Sequence, residues 1–209
     1  MIKNLMILFI FTLAPLIMGA ADITNLTKVT SANNPHCVEY YNYQGSLYCS
    51  TKHLNGKPID PTIKDTETQT IVFDDRPWQA AWGQNKDSLT TIEYVPMGEN
   101  IDQWNELVTS QFFAGLQNKI SPQEFAAIEI KNLHDSGFKP IINTIANTQD
   151  NYIFEFRIKS PTNQIQDEIQ KITRGQNGIY VLHYVIKVSD MGKKNRDLWI
   201  SNLSKSTIK

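Results

Sequence analysis

Two cysteines, four histidines and a scatter of carboxylates are the residues of this chain that could do chemistry. Cys37 and Cys49 form an even pair at short separation. Behind an export leader such a pair reads first as a disulfide. Closing so short a loop removes denatured-state entropy worth about 3 kcal/mol. The rival reading makes one thiol a nucleophile with His36 or His53 as its base, which nearness in sequence alone does not support. A zinc site lacks the paired ligand spacing it needs.

The other histidines are His134 and His183. His134 falls in the last turn of an expected helix, where a cation suits the dipole. His183 alternates with Leu182 and Tyr184 in an expected strand. Neither belongs to a His-x-x-x-His or His-Glu-x-x-His pattern, and the chain has no Gly-x-Ser-x-Gly elbow, phosphate loop or dinucleotide fingerprint. Acids gather at Asp74-Asp75 and around Glu99, Asp102 and Glu106. Paired carboxylates do acid–base work only when their environments push their pKa values apart. Asp102 and Glu106 lie near an expected helix start, where the dipole and capping favour anions, and that reading is preferred to catalysis. Trp78, Trp82, Trp104 and Trp199 read as core, with a ligand cleft as the alternative.

The leader sets the compartment. Lys3 precedes an apolar run from Leu5 to Met18, and Gly19-Ala20-Ala21 supplies small residues before Asp22. That layout is a signal peptide over 1–21, cut after Ala21. A membrane anchor is the alternative, but the apolar run is short for a bilayer span. Once cut, the chain is expected to keep no stable membrane insertion. Apolar residues make up 41% of the chain and charged residues 20%, which suits a globular domain. With a formal charge of −1 there is no electrostatic footprint for nucleic acid.

The elements that must position these residues divide at about residue 68. Residues 22–68 are polar and turn-rich around one expected β-hairpin, Val38 to Tyr48, with the cysteines clamping its open end. Tyr40, Tyr41 and Tyr43 on that ribbon are candidate partner contacts. Residues 69–209 form the main domain. A strand over 70–73 is expected first. Next comes a segment placing Trp78, Ala80 and Trp82 on one face, then a strand from Leu89 to Val95. The stripe Ile101, Trp104, Val108 and Phe112 predicts a helix over 101–117, capped by Asn100. A second helix starts at Ser121-Pro122-Gln123-Glu124, a capping box with proline at the first position, and ends at Gly137 with Leu133 against Phe138. Strands follow over 141–148 and 152–159 about the turn Gln149-Asp150-Asn151. For 166–174 the expectation is an edge strand, with a helix as the alternative. A strand over 179–188 and a helix over 192–203 complete the chain. Runs of strands and helices, without strict alternation, give an α+β domain with a largely antiparallel sheet flanked by helices.

Glu93-Tyr94-Val95-Pro96-x-Gly98-Glu99, Trp104-x-Glu106-Leu107-Val108-Thr109-x-Gln111, Glu168-Ile169, the run Gly178 to Tyr184, and Trp199-x-x-x-Leu203 resemble a group of small, poorly characterised exported proteins of Gram-negative bacteria. The resemblance covers roughly residues 70 to 205. It implies a PsbP-like α/β/α sandwich and, for some members, delivery by type II secretion. It carries over no catalytic residue and no cofactor.

The functional expectation is therefore an exported, non-enzymatic binding protein. It would act in the periplasm or outside the cell on a protein or cell-envelope component, with no cofactor and no metal. A secreted hydrolase whose site joins sequence-distant residues, such as an acid pair with His134 or His183, is the alternative. A periplasmic carrier with a cavity of several hundred Å³ is another.

Overall fold

The computed structural model describes residues 23–31, 34–52 and 65–209. The expected leader, its cut site and His53 lie outside the described residues. Strands β1 (Thr27–Val29), β2 (Glu39–Tyr43), β3 (Ser46–Ser50), β4 (Gln69–Thr70), β5 (Trp78–Lys86), β6 (Leu89–Pro96) and β7 (Glu106–Ala114) precede helix α1 (Pro122–Asp135). After it come β8 (Ile141–Asn147), β9 (Asn151–Ile158), β10 (Gln166–Arg174), β11 (Gly178–Ile186), helix α2 (Gly192–Lys205) and β12 (Thr207–Ile208). Ten strands make one antiparallel sheet in the order β1-β3-β2-β5-β6-β7-β11-β10-β9-β8, while β4 pairs with β12 apart from it. No described helix is long and apolar enough to cross a membrane.

The sheet has a helix on each face. Side chains alternate along each strand, so β9 sends Ile153 to one core and Phe154 and Phe156 to the other. On the first face α2 lays Trp199 flat on Tyr184, ring centroids 3.9 Å apart, and edge-on to Trp78 at 5.5 Å. Ile71 and Phe73, in the segment 65–74, pack on the same core beside Trp78 and Tyr94. On the second face α1 packs Phe125 and Ala126 against Phe154, Phe156, Ile172 and Val181. Its ends are built as the sequence indicates. Ser121 and Glu124 form the capping box, and the Phe138 amide donates to the Leu133 carbonyl at 3.1 Å around Gly137, whose φ is 87°.

Four expectations are corrected. The helix over 101–117 is a single 3-10 turn, Ile101–Gln103, followed by strand β7. Asn100 does cap that turn, its side chain accepting from the Asp102 amide at 2.8 Å. The misleading stripe arose because Trp104, Val108 and Phe112 are spaced by four, which suits a strand as well as a helix. Strand β10 is not an edge strand, for it lies between β9 and β11. The expected strand over 70–73 shortens to β4, because Ile71 and Phe73 serve as packing anchors and not as ladder residues. Finally, a register shift between Ala80 and Trp82 pairs Trp82 with Glu93, whereas Trp78 and Ala80 belong to the α2-side core. A β-bulge thus turns Trp82 onto the opposite face.

The hairpin β2–β3 adds to the same sheet, joined through Asn42 opposite Trp78. The Cys37–Cys49 disulfide closes its open end, as expected.

Candidate functional site

Three places gather polar or aromatic side chains, and they differ in how fully those groups are satisfied.

The first is the α2 face. Arg76 bonds Glu106 at 2.8 and 2.7 Å and Asp74 at 2.6 Å, while Tyr184 donates its hydroxyl to Glu106 at 2.7 Å. Trp78 Nε1 donates to Asp74 at 2.8 Å. Farther along, Arg196 bonds Glu155 at 2.6 Å, Asp190 at 2.7 Å and Asp167 at 3.2 Å, and Arg157 bonds Asp190 at 2.8 Å. Hydrogen bonding from Arg196 holds the Asp190 carboxyl down to about 2. Burial raises Asp167 even so, although it accepts the Met191 amide at 2.7 Å where α2 begins. These networks tie α2 and the 65–74 segment to the sheet. The acids flagged by sequence sit here or in turns. Glu106 and Asp74 share Arg76, Asp102 is exposed, and Glu99 accepts the Asn105 and Glu106 amides at 2.7 and 3.3 Å.

The second is a groove of about 510 Å³ between the hairpin turn and the 65–74 segment. Its walls include Asn42 to Gly45, Ile71, Phe73, Tyr94 and Lys209. Of the three candidate tyrosines, Tyr43 lines this groove and Tyr40 is half-buried with its hydroxyl on the Asn34 carbonyl at 3.1 Å. Tyr41 is fully buried, its hydroxyl donated to the buried Glu39 at 2.7 Å, so it is a core residue and offers no surface to a partner.

The third lies on the α1 face. Cross-strand register sets Trp82, Glu93, Thr109, His183 and Gln170 in one row across β5, β6, β7, β11 and β10. Residues directly opposite share a face of an antiparallel sheet, so the row is a polar stripe. It separates the core under α1 from a small apolar cluster of Val95, Leu107 and Val185. His183 Nδ1 meets Glu168 Oε1 at 2.7 Å and Nε2 meets Gln111 Oε1 at 3.1 Å. Gln170 Nε2 donates to the same Glu168 oxygen at 2.7 Å. Burial pushes the Glu93 carboxyl up to about 7 against the opposing pull of His183. Burial also raises Glu129, reaching in from α1. His134 is exposed on α1, so the structure does not bring the two histidines together.

Sequence reasoning named His183 but missed Glu93, Glu129 and Glu168 as its neighbours. A signal existed: Glu93 on β6, Thr109 and Gln111 on β7, and Gln166, Glu168 and Gln170 on β10 alternate onto one face of their strands. No group of three or more His, Cys, Asp or Glu among the described residues is arranged to hold a metal ion.

A broad antiparallel sheet with one helix on each face defines an α+β protein, with a groove at one end and an acid-rich stripe on one side. The chain belongs to an uncharacterised protein family whose model matches residues 66–209. The comparison with curated proteins finds no match. The disulfide hairpin lies outside the matched span, which begins within the 65–74 segment.

Proposed function

We propose that this is an exported, non-enzymatic binding protein built on a PsbP-like sandwich, which holds a protein segment or cell-envelope component in the groove beside the hairpin turn. The observation that carries the reading is the make-up of that groove. One wall is the turn of the disulfide-closed hairpin, outside the family span; the other is the 65–74 segment, most of which lies inside it. A cleft of this size, with aromatic walls and a few polar groups, suits a small ligand or a short extended segment. A disulfide fits an oxidising compartment. Type II secretion would carry the folded protein outside the cell.

The test is made on protein recovered from the native host. Intact mass spectrometry of supernatant and periplasm should find a chain beginning at Asp22. Under native conditions it should show a bound species that Tyr43→Ala loses while remaining folded. A retained leader removes export from the reading, and a species bound equally by Tyr43→Ala removes the groove.

Hydrolysis is the second reading, favoured by the Glu93 carboxyl, which burial pushes up to about 7, in the same cross-strand row as His183. Against it, both His183 nitrogens are already engaged. A panel of ester and glycoside substrates, assayed with wild type and His183→Gln, decides it: equal turnover by the two proteins ends this reading.

A further inference from the structure

Five charged side chains meet where α2 joins the sheet. Glu155 and Arg157 come from β9, Asp167 from β10, Asp190 from the loop before α2, and Arg196 from α2 itself. Arg196 draws the three carboxyls together, bonding Glu155 at 2.6 Å, Asp190 at 2.7 Å and Asp167 at 3.2 Å. Arg157 completes the group through Asp190 at 2.8 Å. Three carboxyls thus face two guanidiniums, and Glu155 and Asp167 are only 1% and 0% exposed. Fully ionised, the cluster would bury one negative charge in excess.

The hydrogen bonds point to where a neutralising proton goes. Asp167 Oδ2 accepts the Met191 amide and Arg196, whereas its buried Oδ1 finds no donor among the described residues. Glu155 lies within hydrogen-bonding reach of Asp167, and as a carboxylate it too can only accept. Two acceptors in contact are satisfied when one of them carries a proton and donates it to the other. Both Glu155 oxygens already accept, one from Arg196 and one from Asn143 Nδ2 at 3.3 Å. The proton therefore rests on Asp167.

We propose that Glu155 and Asp167 share one proton, carried on Asp167 Oδ1, and that its loss to solvent base releases the first turn of α2 from the sheet. The two acids are fixed in neighbouring strands, so the charge left behind is not relieved by moving them apart. The movable member is α2, which reaches the sheet through the loop after β11 and is held at its start by the Met191 amide and Arg196. This latch is separate from the groove, and the inference stands if the groove reading fails.

Burial, with the charge and contact of Glu155, pushes the Asp167 carboxyl from 3.8 up to about 7, against the pull of the Met191 amide and Arg196. The folded protein thus keeps a proton that the unfolded chain gives up above 3.8. The hold is full below 3.8 and is lost as pH rises through 7. Asp190, held down to about 2 by Arg196, stays charged across that range. The neighbours from β11 and β8 are uncharged: Ile186 stands opposite Asp167, and Asn143 bonds Glu155. Lys171 is engaged at the far end of α2, and Lys193 pairs with Asp197 on its exposed side.

The experiment follows the full chain from pH 4 to pH 9 by NMR of its carboxyl carbons, with amide exchange in parallel. A titration step near neutral pH at Asp167, felt also at Glu155, supports the shared proton. Protection of the Met191 amide, taken relative to Phe154 in β9, should fall about tenfold from pH 6 to pH 8. Asp167→Asn keeps an oxygen for Met191 and offers Glu155 an N–H in place of the proton, so its ratio should stay level. Glu155→Gln, a second variant in case the first misfolds, should lower the Asp167 step by about one pH unit or more. Both carboxyls titrating below pH 5 overturn the inference, as does a level Met191 ratio in wild type. An equal fall in folded Asp167→Asn, or an unmoved Asp167 step in folded Glu155→Gln, overturns it as well.

Discussion

The two faces of the sheet treat their carboxylates in opposite ways. Under α2, Glu155, Asp167 and Asp190 meet Arg196, and Asp74 and Glu106 meet Arg76, at hydrogen-bonding distances. Under α1, Glu168 bonds His183, Gln170 and Gln166, and among the described residues no arginine or lysine forms an ion pair with Glu93, Glu129 or Glu168. The first arrangement locks elements together. Asp167 starts α2 at the Met191 amide, and Lys171 closes its far end by donating to the Leu203 and Ser206 carbonyls at 3.0 and 2.7 Å. The second leaves electrostatic cost uncompensated, and such cost is characteristic of sites that await a ligand or a proton.

Breaking the paired face should have the largest effect. Arg196→Met strands Glu155 and Asp167 in the interior and should destabilise the fold by about 3–5 kcal/mol in urea unfolding. A loss under 1 kcal/mol would mean that α2 is held by Trp199 and Leu203 alone.

The unpaired face should respond in the opposite direction. Glu93 has its carboxyl raised from 4.5 to about 7 in the folded protein, so the folded state holds a proton that the unfolded state releases between those values. Stability is thus greatest below pH 4.5 as far as this group is concerned, and falls as pH rises toward 7. Glu93→Gln should therefore stabilise by roughly 2 kcal/mol at pH 8 and change little at pH 4. Thermal melts at the two pH values test this, and a destabilised variant at pH 8 would show that Glu93 is already paired.

Smaller effects sharpen the contrast. Ser121→Ala removes the cap of the helix that covers the acid-rich face and should cost about 1 kcal/mol, with the loss seen in amide exchange of α1 before α2. Lys193→Ala, removing an exposed pair with Asp197 on α2, should cost under about 0.5 kcal/mol. A larger loss would place surface charge among the forces that hold α2.

Much of the scaffold was readable in the chain. Ser121-Pro122-Gln123-Glu124 and Gly137 mark α1 because caps are local: each orphan amide or carbonyl is met within a few residues. The alternation of Tyr152 to Ile158 marks β9, and Gly-Gln-Asn-Gly over 175–178 marks the turn from β10 to β11. Strand β7 was misread because it is covered on both faces, so Leu107, Val108, Ser110 and Phe113 show no clean period of two. The candidate tyrosines divided for a related reason. Val38 to Tyr48 announced a hairpin, but only its docking on β5 decided that Tyr41 is interior and that Tyr43 borders a groove.

The residues alone determined the α+β class, the disulfide pair, the ends of α1 and the place of α2, since each depends on neighbours close in the chain or on a simple period. Tertiary structure decided which carboxylate has a partner. Glu93 and His183 come to lie in one row through β6, β7 and β11, and Arg196 meets Glu155 across 41 positions of sequence. Charge pairing acts over a few ångströms of space, and nothing in the chain's order records which distant residues the sheet will bring that close.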